Sequence, residues 1–154
     1  MPTDLLRDSQ NNPVPHAAPA GPLRLSVNCF ALAGPGVDGV LIDSGGGGWA
    51  STVGRLEQTM AEARIEPASI TDLALTHTHQ DHVQGLLTPD GRVLFPNLRA
   101  IVIPEAAVKS FYTMAHLARL RPLLKPIRNG DLVAERLRAV ALPGACSWSY
   151  RLRA

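Results

Sequence analysis

The chain lacks most of the features that would decide its class at once. It has two cysteines in 154 residues, Cys29 and Cys146. Two thiols so far apart form no disulfide framework and no metal-chelating spacing, so a reducing cytoplasm is the expected compartment. Cys29 lies in an apolar run and reads as a small core residue. The net charge is only +2, which excludes a strong field for nucleic acid. Basic residues do gather late, at Arg119, Arg121, Lys125, Arg128, Arg136 and Arg138, at spacings that read as a solvated face. No apolar run approaches membrane-spanning length, and residues 1–20 lack the apolar stretch of a signal peptide, so no membrane partner is expected. What remains is ordinary for a soluble domain: 45% hydrophobic and 18% charged residues. A chain of this length can bury roughly two thirds of its unfolded surface in one core.

Local patterns divide the chain. Residues 1–22 carry Pro13, Pro15, Pro19 and Pro22 and read as a disordered leader. Leu23–Val27 alternates as a strand, and Asn28–Ala33 either continues it or starts its partner. Gly34-Pro35-Gly36 is a turn, and Val40-Leu41-Ile42 is a buried strand that runs into Asp43-Ser44 and four glycines. Those glycines allow a sharp turn or a close backbone approach to a ligand. As a phosphate loop they are weak, because no Lys-Ser/Thr follows. Val53, Leu56, Met60 and Ala63 repeat at helical spacing, ended by Pro67. Ile70–Thr76 is the next strand, Pro89-Asp90-Gly91 a turn, and Ala100–Ile103 a further strand. Pro104-Glu105 opens a helix expected to reach about Leu120, stopped by Pro122 and Pro126. Asn129-Gly130-Asp131 turns the chain into Leu137–Leu142, the last strand expected. Strands and helices alternate, so the fold class is α/β.

Three of the five histidines fall in Thr76-His77-Thr78-His79-Gln80-Asp81-His82. Imidazole and carboxylate are ligands that zinc accepts, and iron or manganese tolerates them. In extended chain, residues two apart point the same way, so His77, His79 and Asp81 can share a side. A turn into a helix would then bring His82 round. His77 and His79 could chelate one ion while Asp81 and His82 serve a second. Two such ions would activate water and polarise a carbonyl or phosphoryl oxygen. His16, in the leader, reads as solvated, and His116 as a helix-surface residue. A bland alternative remains, a histidine-rich surface loop capped by Asp81.

This motif resembles that of the metallo-β-lactamase superfamily, which reads H-x-H-x-D-H at a strand end, with an earlier strand ending in Asp-Thr/Ser-Gly. Here those are His77–His82 and Val40-Leu41-Ile42-Asp43-Ser44-Gly45. The likeness runs from about Arg24 to Gly144. It implies a two-zinc hydrolase with His77 and His79 on one ion and Asp81 and His82 on the other, Asp81 also being the candidate catalytic carboxylate. Asp43 would orient a ligand from behind, or else bond its own turn. Gly91-Arg92-Val93-Leu94-Phe95-Pro96-Asn97, followed by a strand and Glu105, resembles the lactonase and organophosphate-hydrolase branch. The implied substrate is a small molecule with an ester, lactone, thioester or phosphotriester bond. An iron-dependent oxidoreductase and a non-catalytic binding remnant are the alternatives.

The sequence departs from the family after Leu142-Pro143-Gly144. There the family continues Pro-Gly-His-Thr-Pro-Gly-His, and this chain reads Ala145-Cys146-Ser147-Trp148. The third ligand of the first ion, the later bridging aspartate and the last histidine are missing. Residues 23–144 are therefore expected to form the N-terminal part of an αββα sandwich, its first sheet with its helices. One bare sheet face and an open edge would favour self-association. The tail 145–154 is expected to be an out-of-frame reading. Permitted codons for Ala145–Leu152, read one base later, give His-Ala-Pro-Gly-His-Thr-Gly, close to the stretch the family places there. On this reading the chain is truncated and inactive.

Overall fold

The structure is a computed structural model that describes residues 26–34, 37–51, 53–142 and 149–153. The expected leader, most of the Leu23–Val27 strand, and Pro143–Trp148 with Cys146 lie outside them. Ser26 and Val27 belong to no strand, so the first one starts at Phe30.

Among the described residues, eight strands form two sheets. The larger has the order β1 (Phe30–Gly34), β2 (Val37–Ile42), β3 (Ile70–Ala74), β4 (Ala100–Pro104) and β5 (Leu124–Ile127). β1 pairs antiparallel with β2, and β2 through β5 run parallel. The smaller has the order β6 (Leu132–Val133), β7 (Leu137–Leu142) and β8 (Ser149–Arg153), all antiparallel. Parallel strands need crossovers. These are α1 (Leu56–Glu62), the short α2 (Gln80–Val83) with the chain after it, and α3 (Val108–Tyr112) with its flanking 3₁₀ turns.

The central strands are apolar on both faces because both faces are covered. Side chains alternate along each strand. Leu41, Leu73, Ile101 and Ile103 point to the helical side and pack with Met60, Val83, Leu86, Phe95, Phe111 and Leu117. Val40, Ala74 and Val102 point to the other side and pack with Val133, Leu137 and Ala139 of the small sheet. The sandwich expected from the sequence is therefore present, with one correction. The face expected to be bare is covered, and Val40 and Ala139 are fully buried. The open edge remains at β1, which among the described residues pairs only with β2.

Three further expectations are corrected. The helix expected over 105–120 is broken into a 3₁₀ turn at Glu105–Ala107, α3, and a 3₁₀ stretch at Ala115–Leu123. Thr113 Oγ1 donates to the Ser110 carbonyl, and Arg121 Nη2 donates to the Tyr112 carbonyl. Side chains thus take acceptors that a continuing helix would need. Lys125-Pro126 lies in a strand, not a breaker; β5 is an edge, where a missing N–H is tolerated. Finally, β7 is not the last strand, since Ser149–Arg153 pairs along its whole length.

The β6–β7 connection is a turn in which the Arg136 N–H bonds the Val133 carbonyl. Its central residues Ala134 and Glu135 have φ of 48° and 58°. This is the left-handed geometry of a type I′ turn, which favours Asn-Gly. Glu135→Gly is expected to raise stability by about 0.5–1 kcal/mol, the relief of the strain less the added freedom of the unfolded chain. Urea unfolding checks this, and an unchanged or lower midpoint would contradict it.

Candidate metal centre

Parallel neighbours end side by side, and β2 and β3 therefore deliver Asp43 and the Thr76–His82 segment to one place. Open parallel sheets commonly bind ligands at such carboxyl ends. Asp43 extends the pairing by one step, its N–H bonding the Ala74 carbonyl at 3.0 Å. Its φ is then 56°, a conformation that aspartate tolerates better than most residues.

Asp43 is only 4% exposed, and its carboxylate is satisfied by three donors. Oδ1 accepts the Thr76 N–H at 2.8 Å. Oδ2 accepts the Thr76 hydroxyl at 2.7 Å and meets His82 Nδ1 at 2.8 Å. A carboxylate only accepts, so His82 carries a proton on Nδ1 and directs Nε2 outward. That Nε2 lies 3.4 Å from Asp81 Oδ2. Burial lowers the proton affinity of His82, but the Asp43 hydrogen bond and the charges of Asp43 and Asp81 outweigh it and hold this imidazole above its ordinary range. Burial pushes His77 the other way, below the ordinary range, helped by the nearby His82 and His79.

The glycine loop is shaped by its own chain. A Cβ on Gly47 would sit 2.6 Å from the Gln84 carbonyl oxygen, and one on Gly85 would sit 1.8 Å from that of Ser44. Ser44 holds the same junction through its N–H and hydroxyl, both donating to the His82 carbonyl at 2.8 and 2.9 Å. Loop and α2 are thus locked backbone to backbone. Cys29 packs beside this loop as a half-buried thiol, pushed up to about 12 by burial and by the Asp43 charge.

The sequence-expected donors are brought together. The His77 ring centroid lies 4.6 Å from that of His79 and 3.9 Å from that of His82. His16 lies outside the described residues, and His116 is an exposed residue away from this cluster. Asp43 bonds His82 and Thr76, not its own turn. Thr76 was not singled out by the sequence; its hydroxyl stands between Asp43 Oδ2 and His77 Nδ1, the latter at 3.0 Å. Its signal was its place as the first residue of the motif.

The donor set suits a divalent ion in kind, with three imidazoles, one nearby carboxylate, and a carboxylate behind His82 of the type that orients metal-bound histidines. The rings pack against one another, however, and among the described residues no three donors close around one point.

Asp43→Ala would leave a buried N–H and hydroxyl without an acceptor and is expected to cost about 2–4 kcal/mol. Asp43→Asn should keep the Thr76 N–H bond but present an amide donor to His82, which moves the imidazole proton to Nε2. Nitrogen chemical shifts of His82 would report that exchange of tautomers, and an unchanged tautomer would contradict the assignment.

Comparison with known proteins bears on the fold. Residues 23–88 match the family model described as the metallo-beta-lactamase superfamily. No match is found among curated protein sequences. Among solved structures, the chain is similar to the hydrolase AbOPH in the beta lactamase superfamily, with TM-score 0.63 and 20% identity over 75% of this chain and 47% of that one. It is similar to AidC, a dizinc quorum-quenching lactonase, with TM-score 0.56 and 20% identity over 77% of this chain and 52% of that one. A flavo di-iron protein variant from Thermotoga maritima gives TM-score 0.62 and 15% identity over 81% of this chain and 30% of that one. The chain thus spans about half the length of these structures or less. No helix among the described residues is long and apolar enough to cross a membrane. Residues 23–88 are thus similar to the metallo-β-lactamase superfamily, and the chain shares the fold of these structures.

Proposed function

We propose that this chain carries the first part of the metal centre of a hydrolase acting on ester-type bonds: ester, lactone, thioester or phosphotriester. The carrying observation is Asp43 bonded to Nδ1 of His82 beside the packed rings of His77 and His79. His77 and His79 would hold one zinc ion, and Asp81 and His82 a second. Bound there, the ions would supply an activated water and a Lewis acid. The residues themselves orient. Asp43 fixes the tautomer and direction of His82, and Thr76 couples that carboxylate to His77. The lactonase AidC and the hydrolase AbOPH share the fold, which makes a small-molecule substrate the favoured kind. Iron in the flavo di-iron relative keeps an iron-dependent oxidoreductase in view, and metal analysis of the purified chain separates the two. The open β1 edge is a candidate for self-association.

Four donors without the remaining ligands should bind zinc weakly, well short of the roughly 10–16 kcal/mol of closed structural sites. Calorimetric titration is expected to show weak binding, lost in His77→Ala and reduced in Asp43→Asn. Zinc binding indifferent to both substitutions would refute the donor assignment. Tight stoichiometric binding of two ions would show that the centre is complete within this chain.

Lactone, thioester and phosphotriester substrates are expected to show no metal-dependent turnover with this chain. Rates typical of enzymes, about 1 per second or more, would overturn that expectation.

A further inference from the structure

The hydrogen bonds around Thr76 decide where its proton goes. A hydroxyl has one proton to give and lone pairs with which to accept. Thr76 Oγ1 lies 2.7 Å from Asp43 Oδ2 and 3.0 Å from His77 Nδ1. A carboxylate only accepts, so the hydroxyl proton points to Asp43. Thr76 Oγ1 then faces His77 Nδ1 with a lone pair, and His77 completes the contact by donating, with its own proton on Nδ1. The two lengths agree with an O–H donor in the first bond and an N–H donor in the second. The hydroxyl is also held in place. Asp43 takes the Thr76 N–H on Oδ1 at 2.8 Å and the hydroxyl on Oδ2, and a β-branched side chain has few alternatives at χ1. Every member lies between residues 43 and 82, where the parallel strands β2 and β3 end.

We infer that the Thr76 hydroxyl is a positioning relay, through which one buried carboxylate sets the ring tautomer of two histidines, His82 directly and His77 at one remove. Its use rests on the proposed centre, in which His77 serves one ion and His82 the other. A metal takes the ring nitrogen that carries no proton. With both rings protonated on Nδ1, both present a bare Nε2 on the side away from the bonded partner. Free histidine prefers the opposite tautomer, with the proton on Nε2, so each ring needs an acceptor at Nδ1 to hold it ready. Asp43 is that acceptor for His82, and Thr76 passes the same charge on to His77. A valine has the shape of threonine and would fill the same space, but it would cut the link. One ligand of each ion thereby answers to a single carboxylate.

Long-range proton–nitrogen NMR correlation of the full chain, without metal and at about pH 8.5 to keep the rings neutral, reads the tautomer of each ring. In the unaltered chain His77 and His82 should both carry the proton on Nδ1. Thr76→Val should move the His77 proton to Nε2 and leave His82 as it was. Thr76→Ser keeps the hydroxyl and should leave both rings unchanged. Asp43→Asn should switch both, because its amide donates to Thr76 Oγ1 as well as to His82 and frees the hydroxyl proton to point at His77 Nδ1. A hydroxyl that merely satisfied Asp43 would leave His77 unmoved in Thr76→Val, and that result overturns the proposal. An Nε2 proton on His77 in the unaltered chain, or Asp43→Asn switching His82 alone, overturns it as well. Should Thr76→Val fail to fold, the unaltered chain and Asp43→Asn still decide. Zinc titration is the separate reading. Thr76→Val should weaken binding about tenfold or more, with Thr76→Ser close to the unaltered chain. Tautomers that switch while zinc affinity stays unmoved overturn the role of the relay in the centre. Tautomers that follow the pattern in a chain that takes up no zinc uphold the relay and refute the proposed centre.

Discussion

One buried carboxylate organises the functional end of this molecule. Asp43 accepts from the Thr76 backbone, the Thr76 hydroxyl and the His82 ring, and so joins the ends of β2 and β3 to α2. A buried charge is costly unless it is fully hydrogen-bonded, and here each oxygen is occupied. The arrangement works in both directions. The three donors make the buried carboxylate tolerable, and the carboxylate fixes where the Thr76 hydroxyl and the His82 ring point. The left-handed backbone at Asp43 is the local strain that this geometry demands.

Much of this was legible in the sequence, for identifiable reasons. The His77–His82 spacing has chemical meaning in few other contexts, and Val40-Leu41-Ile42 before Asp43 marks a strand buried on both faces. The close contact of Asp43 with His82 was less legible, since 39 residues separate them. Only the parallel pairing of β2 with β3 closes that distance. The glycine run shows how local reading falls short. Its freedom was visible, but its use was not: Gly47 and Gly85 serve contacts between the loop and the 3₁₀ turn that follows α2. Composition cannot distinguish a loop shaped for a ligand from one shaped for its own chain.

The misread elements share another cause. The 105–120 segment has helical composition, but Thr113 and Arg121 take the carbonyls of Ser110 and Tyr112, and such side-chain claims on the backbone leave no sequence period. Pro126 reads as a breaker because most strands need every N–H, and its edge position became visible only with the sheet order. β8 was hidden by its place beyond Pro143-Gly144, where the chain departs from the family pattern. Residues 145–154 read as an out-of-frame tail in which no strand was expected, until register places Tyr150 and Leu152 inward beside Arg151 and Arg153.

The small sheet also touches the centre. The Tyr150 N–H bonds the Thr76 carbonyl at 3.1 Å, while the N–H and hydroxyl of the same Thr76 are held by Asp43. Thr76 is thus fixed from both sides, by β8 at its carbonyl and by β2 at its amide. Its hydroxyl in turn meets His77. The second layer of the sandwich therefore does more than cover Val40 and Val102. It restrains the residue from which the histidine motif departs, so the packing of the outer strands and the direction of His77 are parts of one network.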